Sequence, residues 1–246
     1  MSLYDLPPVA AVLDAAYSAV TALTSLLTPF AGDISAALAI VVLTVAVRAA
    51  LIPVGRSQVR AEFTRKRIAP KLQALQKRYK KNPQLLAEKT TALYRDEKAS
   101  PFAGMLPTLL QAPVLSIVYG LFILTTIGGS ANALLGHDLF GASLGSRLFS
   151  DGWPAHLVLM AVIAVVSVFS RRANLRFTPP TDVQPGLQRV LSWMPLITVV
   201  FAAFVPLAAT IYLAVTTTWT FVERAILRSR MDPNRADAAA RLVAAG

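Results

Sequence analysis

The chain contains no cysteine. That excludes a disulfide framework, a thiolate metal site and a cysteine-borne lipid anchor. Histidine is almost as scarce. His137 and His156 are the two present, and without a nearby ladder of carboxylates they read as surface or interfacial residues before metal ligands. There is no Gly-rich phosphate loop and no HExxH, so nothing points to nucleotide chemistry or zinc peptidase chemistry. Charged residues make up only 15% of the chain, against roughly a quarter in an ordinary soluble domain. Lys and Arg are missing altogether from the first 33 residues, whose only charges are Asp5, Asp14 and Asp33. A secretory signal begins with a positive region, so this stretch is not expected to be one.

What the chain has in quantity is apolar residues, 55% of the total, with a mean hydropathy of +0.55. That composition points to a polytopic, all-α membrane protein. The net charge of +11 is then read as basic loops facing anionic lipid rather than as a nucleic-acid surface.

The organising segment is ISAALAIVVLTVAVRAALIP, Ile34 to Pro53. As a helix at about 1.5 Å per residue it covers roughly 30 Å, the thickness of a bilayer core. It contains one charge, Arg48, with Thr44 four residues earlier on the same face. A guanidinium cannot shed its proton to escape lipid. It either snorkels to the headgroups or faces a polar cavity between helices, and both readings are open from the sequence.

Before this span, residues 9–30 carry an apolar stripe (Val9, Leu13, Tyr17, Val20, Leu27) and a polar one (Asp14, Ser18, Thr21, Ser25, Thr28). The spacing suits an amphipathic helix lying in a membrane interface, with a first transmembrane helix as the competing reading. After the span, residues 56–98 carry thirteen Lys/Arg against four acids. Ile68, Leu72, Leu75 and Tyr79, then Leu86, Leu93 and Tyr94, recur at helical spacing, and Asn82-Pro83 is a turn signal. Two antiparallel helices with a basic outer surface are expected, with Pro70 positioned to kink the first. Most of that charge serves a solvated face, and attraction to anionic lipid or ribosomal RNA is the added expectation.

A second span covers 100–127, with Pro107 and Pro113 inside it and Gln111 as its one strongly polar side chain. A Gly-rich loop follows at 128–152 and a third span at 153–170, with Trp153 as interfacial anchor. The stretch from Val190 carries no charge before Glu223. It is too long for one helix across about 30 Å, and Pro206 divides it into spans at 190–205 and 206–227. The complete division is an outer amphipathic segment 1–33, TM1 34–55, basic hairpin 56–99, TM2 100–127, loop 128–152, TM3 153–170, loop 171–189, TM4 190–205, TM5 206–227 and tail 228–246. Lys and Arg concentrate in 56–98, 171–189 and 224–241, so the amino end is expected outside and the carboxyl end in the cytoplasm.

SPFAGMLPTLLQAPVLSIVYGLF, residues 100–122, resembles the signature of the YidC/Oxa1/Alb3 family of membrane protein insertases, through Pro101, Gly104, Pro107, Gln111, Pro113 and Tyr119. VVLTVAVRAALIPV matches the family's arginine-bearing span, with Arg48 at the intramembrane arginine and Thr44 at a groove-lining hydroxyl. Pro206 followed by IYLAVTTTWTFVERAIL is similar to the family's last helix. The chain departs from the pattern where Leu213 follows Tyr212 and where Thr216-Thr217-Thr218 replace a frequent asparagine. The resemblance is to the short type, without a large periplasmic domain.

The resemblance implies five transmembrane helices around a hydrophilic groove closed toward the outside, in a bacterial plasma membrane. It implies an insertase and chaperone with no catalytic residue, no cofactor and no metal. Arg48, Thr44, Gln111, Ser192 and Thr198 would line the groove, and Met194, Phe201, Tyr212 and Trp219 would contact a substrate helix. The implied partners are nascent membrane proteins, the ribosome through the basic hairpin and tail, the Sec translocon and anionic lipids. A transporter or channel for an anionic solute, and a structural assembly factor, are the alternatives. The first calls for inverted repeats, which the sequence does not display.

Overall fold

The protein is described by a computed structural model covering residue 4 and residues 6–100, 106–150, 153–177 and 190–232. The side chains of 106–108, 110 and 111 lie outside the described residues, as do Pro101 and Gly104. Eight α-helices and two small β-hairpins are present among the described residues. The protein is an all-α membrane protein in class, since each strand is two residues long.

Helix α1, Pro7–Ala31, starts with prolines in its first turn, where a missing N–H costs nothing. It ends at Gly32, whose φ of 52° lets its N–H return to the Thr28 carbonyl. The turn Gly32–Ile34 then leads into α2, Ser35–Ala50. α1 packs along α2 and also touches α5. Leu13, Val20 and Thr24 are its buried positions, and Thr24 satisfies its hydroxyl on the Val20 carbonyl. Helix α3, Ile52–Tyr79, follows α2 after Leu51 alone. Pro53 lies in its first turn and cannot donate to the preceding helix, which ends α2. The Leu51 N–H still reaches the Val47 carbonyl and the Gly55 N–H the Leu51 carbonyl. Arg48 and Gly55, seven residues apart, therefore share a face.

α3 continues through Pro70. It pairs with α4, Pro83–Asp96, whose first turn is capped by the Asn82 side chain accepting from Leu85 N–H. Glu97 closes this hairpin, pairing with Lys71 and, at 3.3 Å, with Arg67.

α5, Leu106–Ile123, leads to strands β1 (Thr126–Ile127) and β2 (Ser130–Ala131), then β3 (Asp138–Leu139) and β4 (Ala142–Ser143). The stretch expected as a plain polar loop is thus a pair of tight hairpins. Asn132 anchors them: its Nδ2 donates to the Leu121 and Leu124 carbonyls, and its Oδ1 accepts from Leu134 N–H. α6 is Trp153–Phe177, α7 is Met194–Ala202 and α8 is Leu207–Met231. The N–H groups of Leu207 and Ala208, orphans at the start of α8, donate to the carbonyls of Ser146 and Leu144.

The densest packing gathers at the end of the bundle that carries the β-hairpins. Leu121, Phe122, Leu134, Leu144, Leu207, Ala208 and Ile40 are buried there in one cluster. Ala208 and Ala209 have no long side chains, so neighbouring helices approach closely. The outward faces are apolar. Leu38, Val42 and Val45 on α2, Leu157, Val162 and Val165 on α6, and Ile197, Val200 and Phe201 on α7 are exposed, as expected of surfaces covered by lipid. Two helical stretches, Pro7–Ala50 and Trp153–Phe177, are long and apolar enough to cross a bilayer, and Ala112–Ile123 is a shorter apolar helix.

Candidate functional site: the buried arginine and its surroundings

Arg48 lies in the last turn of α2, only 7% exposed. Its Nε is buried and has no hydrogen-bond partner among the described residues. A charged donor in that condition carries a large desolvation cost unless charge lies nearby. Such charge is supplied by α8. The Glu223 carboxylate acts on the guanidinium electrostatically without forming an ion pair with it, and the uncharged Tyr212 hydroxyl lies on the same helix.

Glu223 is placed by two contacts. Its Oε2 accepts from Trp219 Nε1 at 2.9 Å, one helical turn earlier. Its Oε1 is buried, without a partner among the described residues, and rests against Gly55. A Cβ on Gly55 would come within 2.0 Å of that oxygen. The glycine is required here for a close approach, not for an unusual backbone angle.

The residues expected at the site fall into two groups. Arg48, Tyr212 and Trp219 gather around the α2–α8 contact. Tyr212 is a core residue: it is 4% exposed, donates to the Leu115 carbonyl at 3.4 Å and stacks near Tyr119 and Phe122. Its ring is therefore spent on joining α5 to α8 rather than offered as a free apolar surface. Thr44 is likewise buried, and its hydroxyl donates to the Ile40 carbonyl at 2.7 Å. In apolar surroundings a threonine hydroxyl takes its own helix's carbonyl four residues back, so its proton is not available to a groove. Gln111 belongs to α5, and its side chain lies outside the described residues.

The second group is on or near α7. Ser192 accepts from Arg171 Nε at 3.1 Å, and Arg171 also stacks over Trp193. Met194 is 56% exposed, and Phe201 presents its ring beside Tyr119 with centroids 6.1 Å apart. Thr198 lines a cavity of about 520 Å³ between α6, α7 and α8, together with Ser170, Thr217, Thr220, Phe221 and Arg224. Neither Arg48 nor any residue of α2 is among its described lining residues.

Glu223 and Gly55 were not singled out from the sequence. One signal existed: Glu223 is the first charge after a long uncharged run, and it follows Trp219 by four residues. Gly55 carried no signal, because its role depends on a helix 168 positions further on in the chain (223 minus 55). Among the described residues no group of three or more His, Asp or Glu could hold a metal ion.

The family model described as 60Kd inner membrane protein matches residues 26–235. Curated relatives named membrane protein insertase YidC include one from Zymomonas mobilis, 28% identical over 184 residues, covering 70% of this chain and 30% of that protein. One from Burkholderia cenocepacia is 32% identical over 178 residues, 72% of this chain and 29% of its own length. One from Paraburkholderia phytofirmans is 29% identical over 201 residues, 81% of this chain and 34% of that protein. The chain thus spans about three tenths of the length of these relatives. A match running from the end of α1 to the far end of α8, around a buried arginine on an apolar helix, leaves one assignment: this bacterial membrane protein belongs to the 60Kd inner membrane protein family, the YidC/Oxa1/Alb3 insertases.

Proposed function

We propose that the protein inserts newly made membrane proteins into the bacterial plasma membrane and assists their folding, without catalytic chemistry. The observation that carries this reading is Arg48, a permanent cation buried inside the bundle whose Nε has no hydrogen-bond partner among the described residues. Holding a guanidinium away from water without a complete set of partners is costly. A chain keeps such a residue in register with a polar cluster when the charge has work to do there.

In this reading five spans cross the bilayer, with the amino end outside and the carboxyl end in the cytoplasm, following the distribution of Lys and Arg. A polar groove opens from the cytoplasmic side and ends beneath the packed cluster at the β-hairpin end. Moving a substrate's polar tail through hydrocarbon strips water from its charges and backbone. A groove reaching partway shortens that path. Arg48 attracts acidic residues of the arriving tail, as a charge-assisted pair strengthened by the low dielectric. The substrate's apolar helix then leaves along the exposed apolar surfaces of α6 and α7, where Met194 and Phe201 are accessible. The basic α3–α4 hairpin meets anionic lipid and ribosomes, and cooperation with the Sec translocon is compatible with the same geometry.

Reconstitution tests this. Liposomes containing only this protein are expected to insert a short single-span substrate with an acidic amino-terminal tail. Arg48→Ala lowers that yield at least several-fold, and Arg48→Lys retains much of it. Equal yields from all three proteins would remove the charge from the mechanism. Anion flux without insertion would establish a transporter instead.

A further inference from the structure

The three most exposed large apolar side chains among the described residues are all phenylalanines: Phe30 at 90%, Phe149 at 86% and Phe140 at 84%. All three belong to the end of the bundle that carries the β-hairpins. Phe30 closes α1 just before the turn Gly32–Ile34, and β3 packs against that turn. We propose that this end is seated in the membrane by an aromatic foot, with Phe140 at the tip of the β3–β4 hairpin entering the adjacent lipid leaflet. The occupant of this surface is the apolar part of the bilayer, not another protein. The inference goes beyond the insertase reading and does not depend on it.

Phe140 is held in a conformation that its side chain opposes. Leu139 pairs with Ala142, which leaves Phe140 and Gly141 as the two connecting residues. Their φ values are 53° and 81°. Two-residue hairpins favour such left-handed turns, and asparagine followed by glycine suits them best. A bulky residue there pushes its Cβ toward the following carbonyl. The neighbouring hairpin gives a direct comparison. Ile127 pairs with Ser130, and the connecting residues are Gly128 and Gly129, with φ of 57° and 77°. The same kind of turn is thus made twice in one loop, once by two glycines and once with a phenylalanine projecting from the tip. Packing within the chain does not require that ring, because it is almost wholly exposed. A strained, exposed aromatic at a tip is accounted for when something outside the chain covers it.

Lipid fits this surface for three reasons. The first is continuity. The Leu207 and Ala208 N–H groups donate to the Ser146 and Leu144 carbonyls, which ties the loop to the turn between α7 and α8. Exposed Phe204 lies in that turn, and Val200 and Phe201 continue the apolar surface along α7. The second is side-chain chemistry. Aromatic rings gain by leaving water at the boundary between headgroups and hydrocarbon. The third is the backbone. Leu144 N–H donates to the His137 carbonyl, the Ser143 hydroxyl and Gly145 N–H both reach the Leu135 carbonyl, and β3 pairs with β4. A hairpin with its polar groups paired in this way can approach hydrocarbon at little cost. Charge does not drive the contact. Asp33 in the packed turn and Asp138 on β3 put carboxylates beside the hairpin, so anionic headgroups are not what attract it.

The chain has no cysteine, so a single introduced one is labelled uniquely. Phe140→Cys in the full chain takes a nitroxide, and the protein is reconstituted in phosphatidylcholine vesicles. Collision of the nitroxide with oxygen, which partitions into lipid, is compared with collision with a water-soluble nickel chelate. The ratio of oxygen to nickel collisions is expected to be several-fold higher than for Ser130→Cys, an exposed position on the neighbouring hairpin. Adding phosphatidylglycerol should leave the ratio at 140 unchanged. Equal ratios at 140 and 130, or entry at 140 only with the anionic lipid, overturns the proposal. A second readout keeps an aromatic at the tip. Photoreactive benzoylphenylalanine replaces Phe140, and the protein is illuminated in cell membranes. An adduct of phospholipid mass is expected; a dominant adduct with another protein, or with a second copy of this chain, overturns the proposal. If changes at 140 prevent accumulation, Phe149→Cys carries the nitroxide instead, and a ratio there no higher than at 130 overturns it equally. None of these readouts requires insertion activity, so a failure of the insertase reading leaves them unaffected.

Discussion

Glu62 and Arg228 meet across 166 positions of sequence, with Arg228 Nε donating to Glu62 Oε2 at 2.9 Å. This contact fastens the basic hairpin to the transmembrane bundle. Arg224 approaches the other Glu62 oxygen at 3.9 Å. The guanidinium of Arg228 stacks on Phe177 of α6, and Phe177 in turn meets the ring of Phe63 edge-on. Glu62 and Phe63 on α3 thus hold the ends of α6 and α8 together.

Glu62→Ala should therefore loosen the base of the hairpin. Arg228 is almost fully buried, and its charge would keep only the Phe177 face. A lost charge-assisted hydrogen bond with a buried partner costs about 1.5–3 kcal/mol. The expected signs are a lower thermal midpoint in detergent and faster hydrogen exchange in the first turns of α3. A double-mutant cycle with Arg228→Met should recover a coupling of that order; additive losses would show the contact contributes nothing.

The open end of the hairpin, away from the Asn82-Pro83 turn, is expected to respond to acid. The Lys71 ammonium bonded to Glu97, with Arg67 beside it, holds the Glu97 carboxyl below the usual carboxylate range. A carboxylate whose folded value is depressed stabilises above its unfolded value and ceases to do so as pH falls through the folded one. The contact between Glu97 and α3 should be constant from neutrality down to about pH 5 and weaken below roughly pH 4. Hydrogen exchange across Lys98 and Ala99 follows this, and Glu97→Gln should remove the pH dependence while leaving the segment loose throughout.

Asn132 makes three hydrogen bonds from one buried side chain, two of them to the Leu121 carbonyl of α5 and the Leu124 carbonyl just beyond it. Asn132→Ala strands those carbonyls, at a cost of about 2–3 kcal/mol. Asn132→Asp should be nearly as damaging, because a carboxylate oxygen cannot replace the donating amide. Protease cutting between β1 and β4 is the direct readout, expected to rise in both variants.

Gly120 and Tyr4 form a smaller lock. The Tyr4 hydroxyl donates to the Ser116 carbonyl at 3.1 Å, and a Cβ at position 120 would come within 2.4 Å of its ring. Gly120→Ala should expel the ring while strengthening the propensity of α5 by close to 1 kcal/mol. Exchange at Val9 and Ala10, whose N–H groups bond to the Leu6 carbonyl, should quicken while the global midpoint holds. A falling midpoint would show Tyr4 to be part of the core.

Several features were legible in the amino-acid order alone. The apolar run around Arg48, the basic hairpin with its turn at Asn82-Pro83, the break at Pro206 and the family motif around Gln111 are all local. Hydropathy, charge and proline act on their immediate neighbours, so a reading along the chain finds them. Thr44 shows where such reading stops. Its position on Arg48's face was evident, but only the coordinates direct its hydroxyl to Ile40.

The membrane character, the helices and the placing of a lone cation in an apolar span were decided by the sequence itself, because each follows from residues within a turn or two of one another. The tertiary structure alone decided what that cation faces. Gly55 becomes a seat for a carboxylate only when α8 crosses α3, and Tyr212 becomes core rather than surface only when α5 packs against it. Contacts between distant segments depend on helix rotation and approach distance, and neither quantity is written in the spacing of residues along one chain.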